Sequence, residues 1–160
     1  PFRQSALINI GRHDGVLDGW AAMDGLGLLG RISGVGKNSS RVLFLTDRSS
    51  RIPVEVTPSG QKAILAGDNT PLPPLEFVDG VDQIRAGDRV FTTGDGGVFP
   101  PGLLAGTAVF SGDGRLRVKL AADYRRLEFL RVIRHSPSAP ISEPDELVGK
   151  TLPGQMIVSE

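Results

Sequence analysis

Cysteine is absent from this 160-residue chain, which removes disulfide staples and thiolate metal ligands and leaves every redox compartment open. Net charge is absent as well. The 18 basic and 18 acidic side chains cancel, so no general field draws the molecule to nucleic acid or to an anionic membrane. Aromatic residues are scarce at 6%, with one tryptophan and one tyrosine, which argues against a platform for stacking sugar rings or bases. No apolar run approaches the ~20 residues that span a bilayer. The chain opens on Pro1 and reads as an excised or processed piece, so the lack of an anchor here says nothing about the intact protein.

Turn formers are plentiful. The 21 glycines and 12 prolines make up about a fifth of the chain and punctuate short apolar runs, the pattern of an all-β protein. The spacing predicts strands over Ala6–Ile10, Gly19–Met23, Leu26–Val35, Arg41–Thr46, Pro53–Thr57 and Lys62–Ala66. A second set follows at Leu75–Val78, Arg89–Thr93, Leu103–Ser111, Leu116–Ala121 and Leu127–Arg134. Asp24-Gly25, Ser59-Gly60 and Gly112-Asp113-Gly114 carry tight-turn chemistry. No segment sustains a 3.6-residue period, so little helix is expected.

The two halves echo each other. At a constant offset of 76, Leu28 matches Leu104, Gly30 matches Gly106, Arg41 matches Arg117, Val42 matches Val118 and Asp47 matches Asp123. "DGVLDGWAAM" and "DGVDQIRAGDRVF" each run from Asp-Gly-Val through a glycine into a strand. The order of these matches predicts two small barrel-like β domains, residues 1–68 and 75–134. Residues 135–160 are rich in proline and serine and read as an extended tail. The alternative is an arm that packs through Leu147, Val148, Met156 and Ile157.

Thr92 to Gly102, "TTGDGGVFPPG", is the stretch that most resembles a site. Gly94-Asp95-Gly96-Gly97 has the frame of the nucleophile motif of trypsin-like proteases, but without its serine. A triad also needs a base, and His13 and His135 both sit in polar stretches that read as exposed turns. A phosphate loop needs a helix after its glycines, and Pro100, Pro101 and Gly102 stand there instead. Asp14, Asp18 and Asp24 lack the spacing of a calcium loop. Asp79, Asp82 and Asp88 read as solvated turns beside glycines. The arginines at 48, 51, 125 and 126 are partly neutralised by Asp47 and Asp123, which speaks against nucleic acid. No catalytic, metal or cofactor residue is assigned. Gly94, Gly96, Gly97, Pro100, Pro101 and Gly102 read as a stiff structural loop. It either presents Val98 and Phe99 to a partner or tucks Phe99 into its own barrel. Among Phe77, Tyr124 and Phe129, Tyr124 is the one expected to be exposed.

"GRHDGVLDGWAAM", "LLGRISGVGKNSSRVLFLTDRSSRIPVEV", "AILAGD", "GDRVFTTGDGGVFPPGLLAGTAV" and "RLEFLRVI" together resemble the bacterial cell shape-determining MreC family. The similarity covers residues 8–134, and "TTGDGGVFPPGLLAG" is its most specific part. The resemblance implies two β domains of trypsin-like-barrel topology without the triad. It places them in the periplasm, tethered to the inner membrane by a helix that this chain lacks. It also implies a non-catalytic elongasome scaffold that binds and activates the elongation class B penicillin-binding protein, meets other elongasome proteins and associates with itself. A peptidoglycan- or carbohydrate-binding β module is the alternative. The tail after His135 falls outside the resemblance.

Overall fold

The computed structural model describes residues 4–97, 99–127, 129–135 and 158–159. Its strands are β1 (Ser5–Ile8), β2 (Ala21–Met23), β3 (Leu28–Val35), β4 (Ser40–Phe44), β5 (Arg51–Thr57) and β6 (Gln61–Ala66). They continue with β7 (Leu75–Glu76), β8 (Arg89–Thr92), β9 (Leu104–Phe110), β10 (Leu116–Leu120), β11 (Arg131–Arg134) and β12 (Val158–Ser159). Each of the eleven strands expected from the sequence is present, most of them trimmed by a residue or more. Among the described residues, helix is confined to three short 3-10 turns at Arg12–Asp14, Val81–Gln83 and Asp95–Gly97.

Two antiparallel sheets result. Sheet A runs β1-β4-β3-β2-β11-β12 and sheet B runs β10-β9-β8-β5-β6-β7. The 76-residue echo is carried in the backbone. Leu45 N–H donates to the Leu29 carbonyl at 3.2 Å, and Ala121 N–H donates to the Ala105 carbonyl at 2.9 Å. Ile32 N–H reaches the Trp20 carbonyl at 2.8 Å, as Ala108 N–H reaches that of Asp88 at 2.7 Å. The β2–β3 and β8–β9 pairs also carry matching register shifts, at Ala22/Met23 and Val90/Phe91. Thus β2-β3-β4 and β8-β9-β10 are two copies of one three-stranded unit.

The sheets do not divide the chain at residues 68–75, as the sequence reading expects. After the Asp47 turn the chain leaves sheet A, and β5 pairs with β8 through Val54↔Thr92 and Val56↔Val90. After the Asp123 turn it leaves sheet B, and β11 pairs with β2 through Arg131↔Met23 and Ile133↔Ala21. Each copy therefore completes the other's sheet. The reason is backbone satisfaction: β2 and β8 each have one edge free of their own copy, and an unpaired buried edge is costly. Sequence spacing reveals strands but not which edges they fill.

The exchange fuses the two units. Along β2, Ala21 and Met23 face a core built mainly from sheet B, where Ile52, Val54, Val56, Leu65, Val90 and Val118 are buried. Ala22 faces a second core with Leu29, Ile32, Val42 and Phe44. β11 is shared in the same way through Ile133 and Val132. Close approach of strands is required inside both copies. A Cβ on Gly30 would collide with the Leu43 carbonyl, and one on Gly106 with the carbonyl of Lys119, the residue 76 places later.

Sheet B closes through Arg117. Pro74, just before β7, bridges Arg117 of β10, and Val118 N–H donates to the Pro73 carbonyl at 2.9 Å. The Arg117 guanidinium reaches Asp68 Oδ2 at 3.0 Å and the Leu72 carbonyl at 2.8 Å. Burial alone would raise the Asp68 pKa, but hydrogen bonds from Thr70 and the Arg117 guanidinium outweigh it and hold the carboxyl below its ordinary value.

Two predictions follow from this packing. Gly30→Ala and Gly106→Ala should each destabilise by roughly 1–3 kcal/mol in chemical denaturation. Gly112→Ala, where a Cβ meets nothing, should be near neutral. For Asp68, a folded-state pKa below the unfolded one gives stability that is present above the unfolded carboxylate value, about pH 4, and is lost as pH falls through the folded value. Unfolding midpoints measured from about pH 6 down to about pH 2 should therefore fall. Asp68→Asn should flatten that fall, and an unchanged slope would mean that this pair is not its source.

Candidate functional site

The loop between β8 and β9 is built around Thr92, which the sequence reading passes over. Thr92 is buried, and its hydroxyl donates to the Pro100 carbonyl at 2.8 Å and accepts from Leu103 N–H at 2.9 Å. Its backbone closes the loop neck, with Thr92 N–H to the Leu103 carbonyl at 2.9 Å and Gly102 N–H to the Thr92 carbonyl at 2.8 Å. Inside the loop, Asp95 N–H donates to Thr93 Oγ1 at 3.1 Å and Gly97 N–H to the Gly94 carbonyl at 3.2 Å. Gly94, Gly96, Gly97 and Gly102 have φ of 82°, 78°, 70° and 82°, in the left-handed region that glycine enters without steric cost. At Gly94 a side chain would also press on the Pro101 ring.

The loop has a counterpart in the first copy. There Asp24 holds the position of Thr92. Asp24 N–H donates to the Gly27 carbonyl at 3.1 Å, and Asp24 Oδ1 accepts from Gly27 N–H at 2.9 Å, the two bonds that Thr92 makes with Leu103. The offset between copies is 68 at Asp24 and Thr92 but 76 at Gly27 and Leu103, so the second turn is eight residues longer. "TTGDGGVFPPG" is an expanded version of the turn that joins β2 to β3. The signal was present in the two offsets, but the step between them hid it.

Pro100 and Phe99 fill the expansion. Phe99 is 4% exposed and lies in the larger core with Val54, Val90 and Ala105, so it is a plug and not a presented anchor. Val98 lies outside the described residues. Tyr124, expected at the surface, is packed into the smaller core. Its ring meets Phe44 edge-on at 4.8 Å, and its hydroxyl donates to the Leu29 carbonyl at 2.7 Å. Burial pushes its phenol far above the ordinary value. The Asp123 carboxylate accepts from Arg125 N–H at 3.0 Å, and Asp24 Oδ2 accepts from Asp123 N–H at 2.7 Å. This tightens the turn and folds the tyrosine inward. Phe77 and Phe129 are exposed instead, at 77% and 85%.

The two histidines differ. His13 is exposed in its 3-10 turn. His135, expected to be exposed, is half-buried, and its carbonyl accepts from Trp20 Nε1 at 3.0 Å. Thr92 and Thr93 use their hydroxyls within the loop and the Asp95 carboxylate pairs with Lys62 of β6 at 3.6 Å, so the arrangement supports a backbone scaffold and supplies no nucleophile with a base beside it.

These features define a class: an all-β protein of two strand-exchanged, barrel-like units whose conspicuous glycine loop is structural. The family model for the rod shape-determining protein MreC, barrel core, matches residues 1–134. The cell shape-determining protein MreC of Cereibacter sphaeroides is 64% identical over 150 residues, covering 94% of this chain and 50% of that protein. A solved MreC structure aligns with TM-score 0.75 at 32% identity, covering 82% of this chain and 79% of that one. The major periplasmic domain of the cell shape-determining filament MreC aligns with TM-score 0.65 at 27% identity, covering 76% and 81%. The chain belongs to the MreC family of rod shape-determining proteins. It spans about half the length of the curated relatives it matches.

Phe99→Ala should cost about 3–5 kcal/mol of stability, the range for removing a buried aromatic, and Thr92→Val about 1–3 kcal/mol through the polar groups it strands. Urea denaturation of both variants checks this. A Phe99→Ala protein as stable as the parent would place the ring outside the core.

Proposed function

We infer that this chain is the scaffold portion of a cell-wall elongation protein, not an enzyme. It lies in the periplasm, tethered to the inner membrane through a segment outside this chain. There it binds and activates the elongation class B penicillin-binding protein and associates with itself to maintain rod shape. The observation that supports this most is family membership combined with a glycine loop whose two threonine hydroxyls and the amides of Asp95, Gly97 and Gly102 are engaged internally. A relative described as a periplasmic domain and as a filament supports the compartment and the self-association.

A peptidoglycan-binding module is the second reading, and the aromatic inventory weighs against it. Trp20 is half-buried with its indole N–H bonded internally, and Tyr124 is packed into the smaller core with its hydroxyl on the Leu29 carbonyl, so neither ring stands out from the surface. With a formal net charge of zero, the protein lacks an overall field to steer association, and apolar burial is left as the main driving force.

Binding of the chain to a purified transpeptidase ectodomain and to purified peptidoglycan, measured side by side, tests this reading. The transpeptidase should bind, and binding should persist to about 0.5 M salt because screening acts on exposed charges. Binding to peptidoglycan alone, or association lost with salt, would overturn it. The salt-sensitive outcome would move attention to the arginines at 48, 51, 125 and 126.

A further inference from the structure

Two exposed phenylalanines stand on faces of opposite charge. Phe77 follows directly after β7, is 77% exposed, and has a left-handed backbone with φ of 60°. A bulky residue keeps that conformation only where the surrounding structure holds it. A groove opens beside it, lined by Leu75, Phe77, Val78 and Val81 on one side and by Arg115 and Leu116 on the other. The rim of this groove is acidic. "EFVDGVD", residues 76–82, holds three carboxylates and no cation. Glu76 is met by Arg51 at 2.7 Å and Arg115 is turned to Asp113 at 4.0 Å. Asp79 and Asp82 are exposed and meet no cation among the described residues.

Phe129 is 85% exposed in the segment that crosses from sheet B to β11. "RRLEFLR", residues 125–131, holds three arginines against one glutamate. Arg125 is met by Asp123 at 3.7 Å, while Arg126 is exposed and meets no carboxylate among the described residues. Leu127 and Leu130 pack on the smaller core and fix the segment, so that the ring between them stands out. Leu75 and Leu116, under the groove, belong to the larger core. The acidic groove and the basic segment therefore sit on different units of one molecule.

We propose that the chain assembles head to tail, the acidic Phe77 groove of one copy receiving the Arg126–Phe129 segment of the next. Two different faces meet, so the contact is heterologous and each end of the assembly keeps one face free for a further copy. Burial of the two rings supplies the attraction, and Asp79 and Asp82 opposite Arg126 set the orientation. Charge selects this occupant over the chain's own tail. Residues 136–157 hold Glu143, Asp145 and Glu146 against Lys150, the same sign as the groove, and β12 is seated on β11 in sheet A. This assembly deepens the self-association of the scaffold reading, on which it rests, by naming its two surfaces. Self-association that ignores both phenylalanines would remove this contact and leave that reading standing.

Sedimentation of the 160-residue chain up to millimolar concentration should show assembly that grows with concentration. Phe77→Asn uses a residue that accepts left-handed backbone, and Phe129→Ala removes the other exposed ring. Each should weaken assembly at least about tenfold, with the melting profile kept. An equal mixture of the two variants should associate again but stop at pairs. The intact groove of the Phe129→Ala copy then holds the intact segment of the Phe77→Asn copy, and both remaining faces are disabled. Asp79→Arg should also weaken assembly, and mixing it with Arg126→Asp should restore it. A chain that stays monomeric at millimolar concentration, assembly unchanged by either ring substitution, or a mixture without pairs would each overturn the proposal. So would assembly that appears only once residues 136–160 are removed, because the chain's own tail would then be the occupant.

Discussion

The free edges of β2 and β8 are the constraint on which the rest of the structure depends. Each three-stranded copy folds back on itself and leaves one central strand with unpaired donors and acceptors, in a position that the packing buries. β2 is buried at all three of its residues, and β8 is buried at Val90 and Thr92. Water cannot satisfy such an edge, so another strand must. The strand that does so comes from the other copy in both cases. One constraint thus dictates the exchange, the shared wall and the presence of two cores on opposite faces of β2 and β11.

The exchange in turn determines where small residues are required. Ala21 and Ala22 sit in the wall between the cores, and Gly30 and Gly106 lie where neighbouring backbones come too close for a Cβ. It also determines the turns. Asp47 and Asp123 stand where the chain crosses from one sheet to the other, and each accepts from the N–H two residues on, at Ser49 and Arg125. Short Asx-type turns of this kind reverse the chain in little space and orient the exit. The arginines beside them, at 48, 51, 125 and 126, are part of the crossing segments.

Much of this was legible in the sequence, and the failures have one cause. Strand positions, the lack of helix and the 76-residue echo are local signals, and they emerge in the backbone bonds of Leu29 and Ala105. Pairing between distant strands leaves no local mark, so the division near residue 68 followed chain order and missed the exchange. Tyr124 was misplaced for the same reason. Its surroundings in sequence are polar, while its hydroxyl partner, the Leu29 carbonyl, lies 95 residues away. For Phe99 the sequence left two readings, and the choice depended on a core that only the fold assembles.

The asymmetry between the copies is where the duplicated plan departs from itself. In the second copy the turn after β8 has grown by eight residues, and the growth went inward: Phe99 and Pro100 are buried and Thr92 ties the neck. With β7 seated on the other side, sheet B has its barrel end filled and its strand edges paired. The first copy kept the short Asp24 turn, and among the described residues its β1 pairs with β4 alone. Sheet B ends on β7, which bridges back to β10, whereas sheet A ends on β1 at one edge and on β12 beside β11 at the other. With no net charge the protein has no overall field to steer a partner, and its exposed apolar side chains include Leu7, Phe77 and Phe129.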